Sequence, residues 1–335
     1  MNKLQSLHSH TTNSDGQYSH LELLEISKKY NLDTIAFTDH DSVISEKEVL
    51  SIKNVDGIRW ISGIEISSGW PLDIGGGSSS SLHIVGLFVD YNNQELKNYC
   101  KLAQEARVER MVRMTKNLNS IGFKITQDDC IKQSGGEAVA RPHIVKALLS
   151  YPENLKRIEE IREEMRKASE KDSTLLENYN RLSELPIEQY PYILFLTEDS
   201  FIKDIYVDYL YYLDFDRSIK LIRDSGGIAI LAHYFTISNK ITPDILEHYI
   251  KEKRIDGLET VFGLYAFGTS EEQRIVDSMN ITKDIAKKYN CITSGGADIH
   301  TAKDLQMLSK NTEYANQTTN LLENMLNNFD IDTPL

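Results

Sequence analysis

His8 and His10 stand one residue apart near the start of the chain, and Asp15 follows in the segment Thr11–Gly16. The residues up to Leu7 are just enough for one strand. Residues two apart on a strand share a face, so both imidazoles can aim at one point and Asp15 can fold back over them from the following loop. Imidazole with carboxylate is a ligand set for a divalent transition metal. The same residue types recur beside strand-like runs. His40 follows Asp33–Thr38, Glu65 lies near the end of Arg59–Ile66, and His83 begins His83–Val89. His233 follows Ile228–Ala232, and Asp298 and His300 follow Cys291–Gly295. In barrels of alternating strands and helices the carboxyl ends of the strands carry the active site. A histidine that only packs a core has no reason to prefer those ends, so the repeated placement argues for one shared site.

The elements that must position these residues read as an α/β pattern. Strands are expected over 3–8, 33–38 and 59–66, and from His83. Ser19 with Glu22 three residues on forms a capping box for a helix over 20–30, with Leu21, Leu24 and Ile26 toward the sheet. A second helix is expected over 43–53. Residues 67–81, with Gly75–Gly77 and four serines, read as a flexible loop. Glu65 and His83 can share a rim only if their strands run antiparallel, and a hairpin is expected there. From 92 to 220 helix formers dominate, and Arg141-Pro142-His143 opens one helix with Pro at the favoured first turn. The alternation then returns, with strands over 228–232, 257–261 and 291–295 and helices over 215–224, 270–289 and 318–328. Residues 1–91 and 221–335 therefore read as an α/β domain, interrupted between strands four and five by a helical insertion over 92–220.

Composition bounds the chemistry. A net charge of −13 argues against a broad surface for nucleic acid or anionic lipid, although bound metal ions can reverse the sign of a cleft and admit a phosphate. Cys100, Cys130 and Cys291 have no short spacing, which excludes a disulfide framework and a Cys-rich zinc site and fits a reducing cytoplasm. No basic segment followed by an apolar run opens the chain, and no stretch approaches ~20 apolar residues. A cytoplasmic protein without a membrane span is expected; oligomeric state is not legible.

His8-x-His10, Asp15, Thr38-Asp39-His40, Gly63-Ile64-Glu65, His83, Ala232-His233 and Asp298-x-His300 occur in the order found in the PHP (polymerase and histidinol phosphatase) family, and the chain resembles that family over about 1–90 and 221–300. Ala140-Arg141-Pro142-His143 further resembles the branch that acts on nucleotide phosphates such as 3',5'-bisphosphates and on RNA ends. The resemblance implies a distorted seven-stranded (β/α)7 barrel with two to three divalent ions, Mn, Fe or Zn by donor type. It implies one ion on His8, His10, Glu65 and Asp298, a second on Glu65, His83 and His233, and a third on Asp15, His40 and His300. Three dications carry about +6 against about −3 from Asp15, Glu65 and Asp298, so the cleft favours a phosphate dianion. The chemistry expected is attack of a metal-bridging hydroxide on a small phosphomonoester, a nucleotide first among them, with Glu65, Asp298 and His233 as catalytic candidates.

Arg141, whose fork suits bidentate contact, and His143 are candidates for holding a phosphate outside the metal cluster. Asp39 and Asp41 flank His40 and can orient it, and Asp39 is also a candidate for proton transfer. His20, near a helix cap, reads as structural, and His248 is assigned nothing. Two departures from the family bear on substrate. Tyr234 replaces the frequent proline after Ala232-His233 and is a candidate for narrowing the pocket or stacking on a base. The region Asp204–Tyr209 has little positive charge where the nucleotide branch usually has a basic segment. Alternative readings are an exonuclease acting on RNA or DNA ends, a histidinol-phosphate-type phosphatase and, third, a metal-stabilised binding module without turnover.

Overall fold

The computed structural model describes residues 3–45, 47–50, 54–55, 57–134 and 139–328. It divides into two compact units, Met1–Ala103 with Tyr212–Leu335, and Gln104–Tyr211.

The first unit is an α/β sheet of strands β1 (Leu4–Ser6), β2 (Leu32–Phe37), β3 (Asn54–Val55), β4 (Ile58–Ser67), β5 (His83–Leu87), β6 (Ile228–Leu231), β7 (Gly257–Val261) and β8 (Ile292–Gly295). Their order is β1-β2-β4-β5-β6-β7-β8, with β3 paired to β4 alone on an added edge. The outer members β1 and β8 are linked beyond their ends by hydrogen bonds from Leu7 N–H to the Gly295 carbonyl at 2.9 Å and from His10 N–H to the Ile299 carbonyl at 2.8 Å. Ser9 and Ile299 form a parallel bridge at this seam. The architecture is that of the distorted (β/α)7 barrel.

The direction of β5 decides where its ligand falls. β4 and β5 pair antiparallel, Glu65 opposite Val85 and Ser67 opposite His83. β5 also runs against β6, with Ile84 opposite Leu231. The first residue of β5 therefore lies on the same rim as the last residues of its neighbours, and the Ala232 N–H reaches the His83 carbonyl at 3.1 Å.

Leu7, Ala36, Ile61, Val85, Leu87 and Ile230 form the apolar interior, and Leu321, Leu322 and Met325 of the helix Leu321–Asn328 pack against it. Burial of such aliphatic side chains stabilises by roughly 1.5–3 kcal/mol each. Polar contacts fix the helix in place: Gln5 donates to Glu323 at 2.8 Å and accepts from the Leu322 N–H at 2.8 Å. The second unit has its own core, including Met111, Met114, Leu118, Ile144, Leu148, Ile158 and Ile161, drawn from the helices Gln94–Ser120, Arg141–Leu149 and Pro152–Ser169.

Several local expectations need correction. Among the described residues of the helix expected over 43–53, Lys47–Leu50 is helical and 43–45 are not, and Asn54–Val55 beyond it pairs with β4. Residues 46 and 51–53 lie outside the described residues. The capping box of Ser19 and Glu22 is present, but the buried face of the helix His20–Lys28 is His20, Leu23, Leu24 and Ser27, not Leu21 and Ile26. Those four positions follow the 3.6-residue period from the first helical residue. Helices Pro243–Lys251 and Ala302–Lys310 were not anticipated, although Thr242 before Pro243 and Thr301 with Asp304 are helix-start signals.

Gly63 lets β4 pass between its neighbours. A Cβ there would meet the Gly86 carbonyl oxygen at 2.8 Å and the Phe37 carbonyl oxygen at 2.9 Å. These backbone atoms cannot yield, so Gly63→Ala is expected to cost about 1–3 kcal/mol and lower the melting temperature by several degrees. Thermal unfolding of the variant against the parent measures this; an unchanged midpoint would show that the sheet relaxes there without strain.

Candidate metal centre

The loop after β1 is shaped by glycine and a buried carboxylate. Gly16 packs on the backbone of His10, where a Cβ would stand 2.3 Å from the His10 carbonyl oxygen. Asp39 accepts from the Thr11 N–H at 2.7 Å, the Thr11 hydroxyl at 2.8 Å and the Ser14 hydroxyl at 2.7 Å. His20 Nε2 lies 3.4 Å from the same carboxylate. These contacts hold the loop that presents Asp15, and they commit both oxygens of Asp39 to positioning, not to the proton transfer expected as an option. Asp41 accepts from the Ser67 N–H at 2.8 Å and from Tyr99 at 2.5 Å, which joins the turn after β2 to the end of β4.

Glu65 is the hub. It is 1% exposed. One oxygen, Oε2, lies 3.3 Å from His8 Nε2, 3.2 Å from His10 Nε2 and 2.9 Å from His40 Nδ1. The other, Oε1, lies 2.9 Å from His83 Nδ1 and 3.0 Å from His233 Nε2. Asp298 Oδ1 stands 3.4 Å from His8 Nε2 and 3.1 Å from His10 Nε2. Beyond His10, Asp15 Oδ1 is 3.6 Å from His10 Nδ1 and 3.3 Å from His300 Nε2. Ligand atoms about 2.0–2.2 Å from a common ion stand about 3–3.5 Å from one another, which is the spacing seen around Glu65.

The protein's own hydrogen bonds do not satisfy this cluster. Buried His8 Nε2, His10 Nε2, Asp15 Oδ1, Glu65 Oε2 and Asp298 Oδ1 have no hydrogen-bond partner, a costly arrangement unless something else engages them. Donor atoms of His10, Asp15, His40 and His300, of His8, His10 and Glu65, and of His40, Glu65 and His83 each fall within 4.8 Å of one another. The donor set and its orphaned atoms fit divalent ions. All nine expected ligands are thus gathered. His40 stands with Asp15 and His300, as in the expected grouping, and also reaches Glu65: its Nε2 lies 3.9 Å from Asp15 and its Nδ1 2.9 Å from Glu65.

The charges support one another. Burial pushes the Glu65 carboxyl up, but His40, His83 and His8 hold it well below the usual carboxylate range. Burial also opposes ionisation of Asp298, which His8 and His300 keep well below its ordinary value. His300, against burial, is carried up to about 10 by Asp15 and Asp298, whereas burial pushes His83 down to about 4. Two candidate ligands hold left-handed backbone, His233 at φ 25° and Asp298 at φ 50°. Such conformations are uncommon for residues other than glycine and cluster at functional sites.

Glu259 was missed in the sequence. It is 1% exposed; Oε1 lies 2.7 Å from His8 Nδ1, and Oε2 accepts the His233 N–H at 2.7 Å. One carboxylate on β7 therefore orients a histidine from each side of Glu65. A charged residue in an apolar strand, Gly257-Leu258-Glu259-Thr260-Val261, was the available signal. Tyr234 stands elsewhere than expected: it is 1% exposed and donates to the Ile241 carbonyl at 2.8 Å, so it neither narrows the pocket nor reaches a base. Its ring fills the core, where proline could not.

Arg141 and His143 lie in the second unit, at the start of the helix Arg141–Leu149. His143 is buried, and its Nδ1 accepts the Ala140 N–H at 3.0 Å, closing the first turn. Arg141 Nη1 is 3.4 Å from the Leu196 carbonyl, and its guanidinium lies 5.8 Å from the Tyr192 ring centre.

The description PHP domain matches residues 6–180 of the chain. A 5'-3' exoribonuclease of Haemophilus influenzae is 31% identical over 151 residues, 44% of this chain and 52% of its own length. The chain thus spans about half of that relative. A phosphoribosyl 1,2-cyclic phosphate 1,2-diphosphodiesterase of Eggerthella lenta is 22% identical over 299 residues, 89% of this chain and 94% of its own. A solved structure from Bifidobacterium adolescentis, named as a candidate metal-dependent phosphoesterase, matches with a TM-score of 0.67 at 20% identity, covering 97% of this chain and 96% of that one. That last likeness is one of fold.

The two partners of Glu259 set a specific test. The His233 N–H is a donor, and His8 Nδ1 must carry a proton whenever Nε2 is a ligand. A carboxylate accepts from both, but an amide accepts from only one. Glu259→Gln is therefore expected to leave the sheet folded and weaken metal retention about 10- to 100-fold. Metal content by mass spectrometry after dialysis, with circular dichroism as the folding control, gives the answer; undiminished metal in a folded variant would remove the orienting role.

Proposed function

The chain belongs to the PHP family, and from that membership and the geometry around Glu65 we propose that it is a metal-dependent phosphoesterase that hydrolyses a small phosphomonoester, a nucleotide. The observation that carries the reading is the division of Glu65: Oε2 faces His8, His10 and His40, while Oε1 faces His83 and His233. A carboxylate placed in this way suits a bridge between two ions. When bound, divalent ions supply Lewis acidity toward phosphoryl oxygens and make water nucleophilic at neutral pH.

The chain's own residues would do the positioning. His8, His10, Glu65 and Asp298 would hold one ion, and Glu65, His83 and His233 a second. Asp15 and His300 would hold a third, with His40 or His10 completing it. Asp298, 17% exposed at its side chain against 1% for Glu65, lines the cavity and is suited to orient the attacking water and take its proton. Oxygen and nitrogen donors suit Mn, Fe or Zn.

A ribose-borne phosphate is supported by the relatives' names, since both the exoribonuclease and the phosphoribosyl cyclic diphosphodiesterase are named for esters of ribose. An exonuclease acting on RNA ends is the second reading, favoured by the Haemophilus relative. The net charge of −13 weighs against long nucleic acid and for a small substrate. The role of Arg141 toward a second phosphate rests on the resemblance of Ala140–His143 and on a guanidinium that pairs with no carboxylate among the described residues.

Phosphate release from nucleoside monophosphates, a nucleoside 3',5'-bisphosphate, sugar phosphates and a short 5'-phosphorylated RNA tests both readings, with metal-loaded and chelated protein side by side. Metal-dependent release, fastest from the nucleotides, is expected; mononucleotides cut from RNA in preference to free phosphate would favour the exonuclease. Arg141→Ala should lower kcat/KM on the bisphosphate by about 10- to 150-fold, the loss of a charge-assisted bond of about 1.5–3 kcal/mol, and leave p-nitrophenyl phosphate unchanged. Equal losses on both substrates would count against a second-phosphate role.

A further inference from the structure

A cavity of about 200 Å³ opens over the ligand cluster. His40, Glu65, His83, His233 and Asp298 form its chemical side, and Ser80, Ser81, Thr236 and Tyr265 complete the wall. Sites that enclose a drug-sized ligand measure about 300–1,000 Å³. This one has room for a phosphate with part of a sugar, and a planar base attached to that sugar must lie outside, on the rim. The wall offers hydroxyls, with Thr236 donating to the Ser81 carbonyl at 3.0 Å, and the ring of Tyr265. None of the four wall residues is cationic, so this wall recognises its ligand by shape, hydroxyl contact and stacking, not by a further ion pair.

The exposure of Tyr265 is built in. Tyr265 is 45% exposed, while Phe262, three residues before it, and Phe235, which packs beside Gly263, are 1% and 5% exposed. After β7, Gly263 takes φ +68°, and a Cβ there would press on Ile275 at 3.1 Å and Phe235 at 3.2 Å. That reversal buries Leu264 completely and starts the short turn Leu264–Ala266. With Leu264 as the anchor, the next side chain faces outward at the cavity mouth. An aromatic ring carried on a turn anchored by buried Leu264 beside a phosphate-sized cavity is suited to a partner with its own flat π-face, which every nucleobase has.

We propose that Tyr265 is the platform on which the base of a nucleotide substrate stacks while its phosphate enters the cavity beside Glu65. The proposal rests on the phosphoesterase reading above and adds the part of the substrate that selects a nucleotide over a sugar phosphate. It is tested on metal-loaded protein by calorimetry with adenosine 5'-monophosphate and ribose 5-phosphate, together with steady-state kinetics on both. Tyr265→Ala is expected to weaken the nucleotide by roughly 5- to 150-fold, the range for loss of one base–aromatic stack. The loss should appear in binding and KM, with kcat and the ribose phosphate little changed, and Tyr265→Phe should retain the parent's affinity. Equal weakening of both ligands, or an unaltered nucleotide, overturns the platform. Parent protein that handles both ligands equally well overturns it too while leaving the phosphoesterase reading intact; parent protein that binds and hydrolyses neither overturns that reading itself.

Discussion

A carboxylate withdrawn from water stays ionised only where positive charge or strong donors surround it. Glu65, at the end of β4, is in that position, and the imidazoles around it arrive from four different strands or their following loops: His8 and His10 after β1, His40 after β2, His83 at the start of β5 and His233 after β6. Each could be placed there only if its strand reached the same rim, so the pairing order of the sheet and the charge at its centre are one requirement. The reversed β5 is the clearest case. Run parallel like β2 and β4, it would carry His83 to the opposite end of the sheet.

Around this hub a second tier fixes orientation. Asp39 holds the Thr11–Ser14 turn through both its oxygens, and Glu259 holds His8 and the backbone of His233. Both carboxylates are buried and hydrogen-bonded, whereas His8 Nε2 and Asp15 Oδ1, which they help to position, are buried without a hydrogen-bond partner. His233 and Asp298, two further ligand candidates, hold left-handed backbone, a strain tolerated where the surrounding sheet over-determines it.

Much of this was legible in the sequence because the signals are periodic or chemical. His8-x-His10 needs only the two-residue repeat of an extended strand, and the antiparallel hairpin followed from asking how Glu65 and His83 could meet. Strand positions were readable from buried apolar runs, and the capping box at Ser19 from two residues. What failed had physical causes. The short β3 lacks the length that makes a strand visible, and the buried face of the helix His20–Lys28 depends on its first residue more than on which residues are apolar. Tyr234 sits beside a ligand in sequence yet turns into the core, because a left-handed residue at His233 redirects the chain. Glu259 gave only the weak signal of a charge in an apolar strand; its role depends on two distant partners that no local pattern reveals.

Metal stoichiometry in folded Glu65→Gln beside the parent decides whether one buried carboxylate is shared between ions. An amide keeps the shape but loses the charge, and one of its two ends becomes a donor that no cation can use. The parent is expected to retain at least two divalent ions per chain, about two or three, and the variant to lose more than one while its circular dichroism is unchanged. Loss of a single ion, or full occupancy in the variant, would contradict a shared bridge at Glu65.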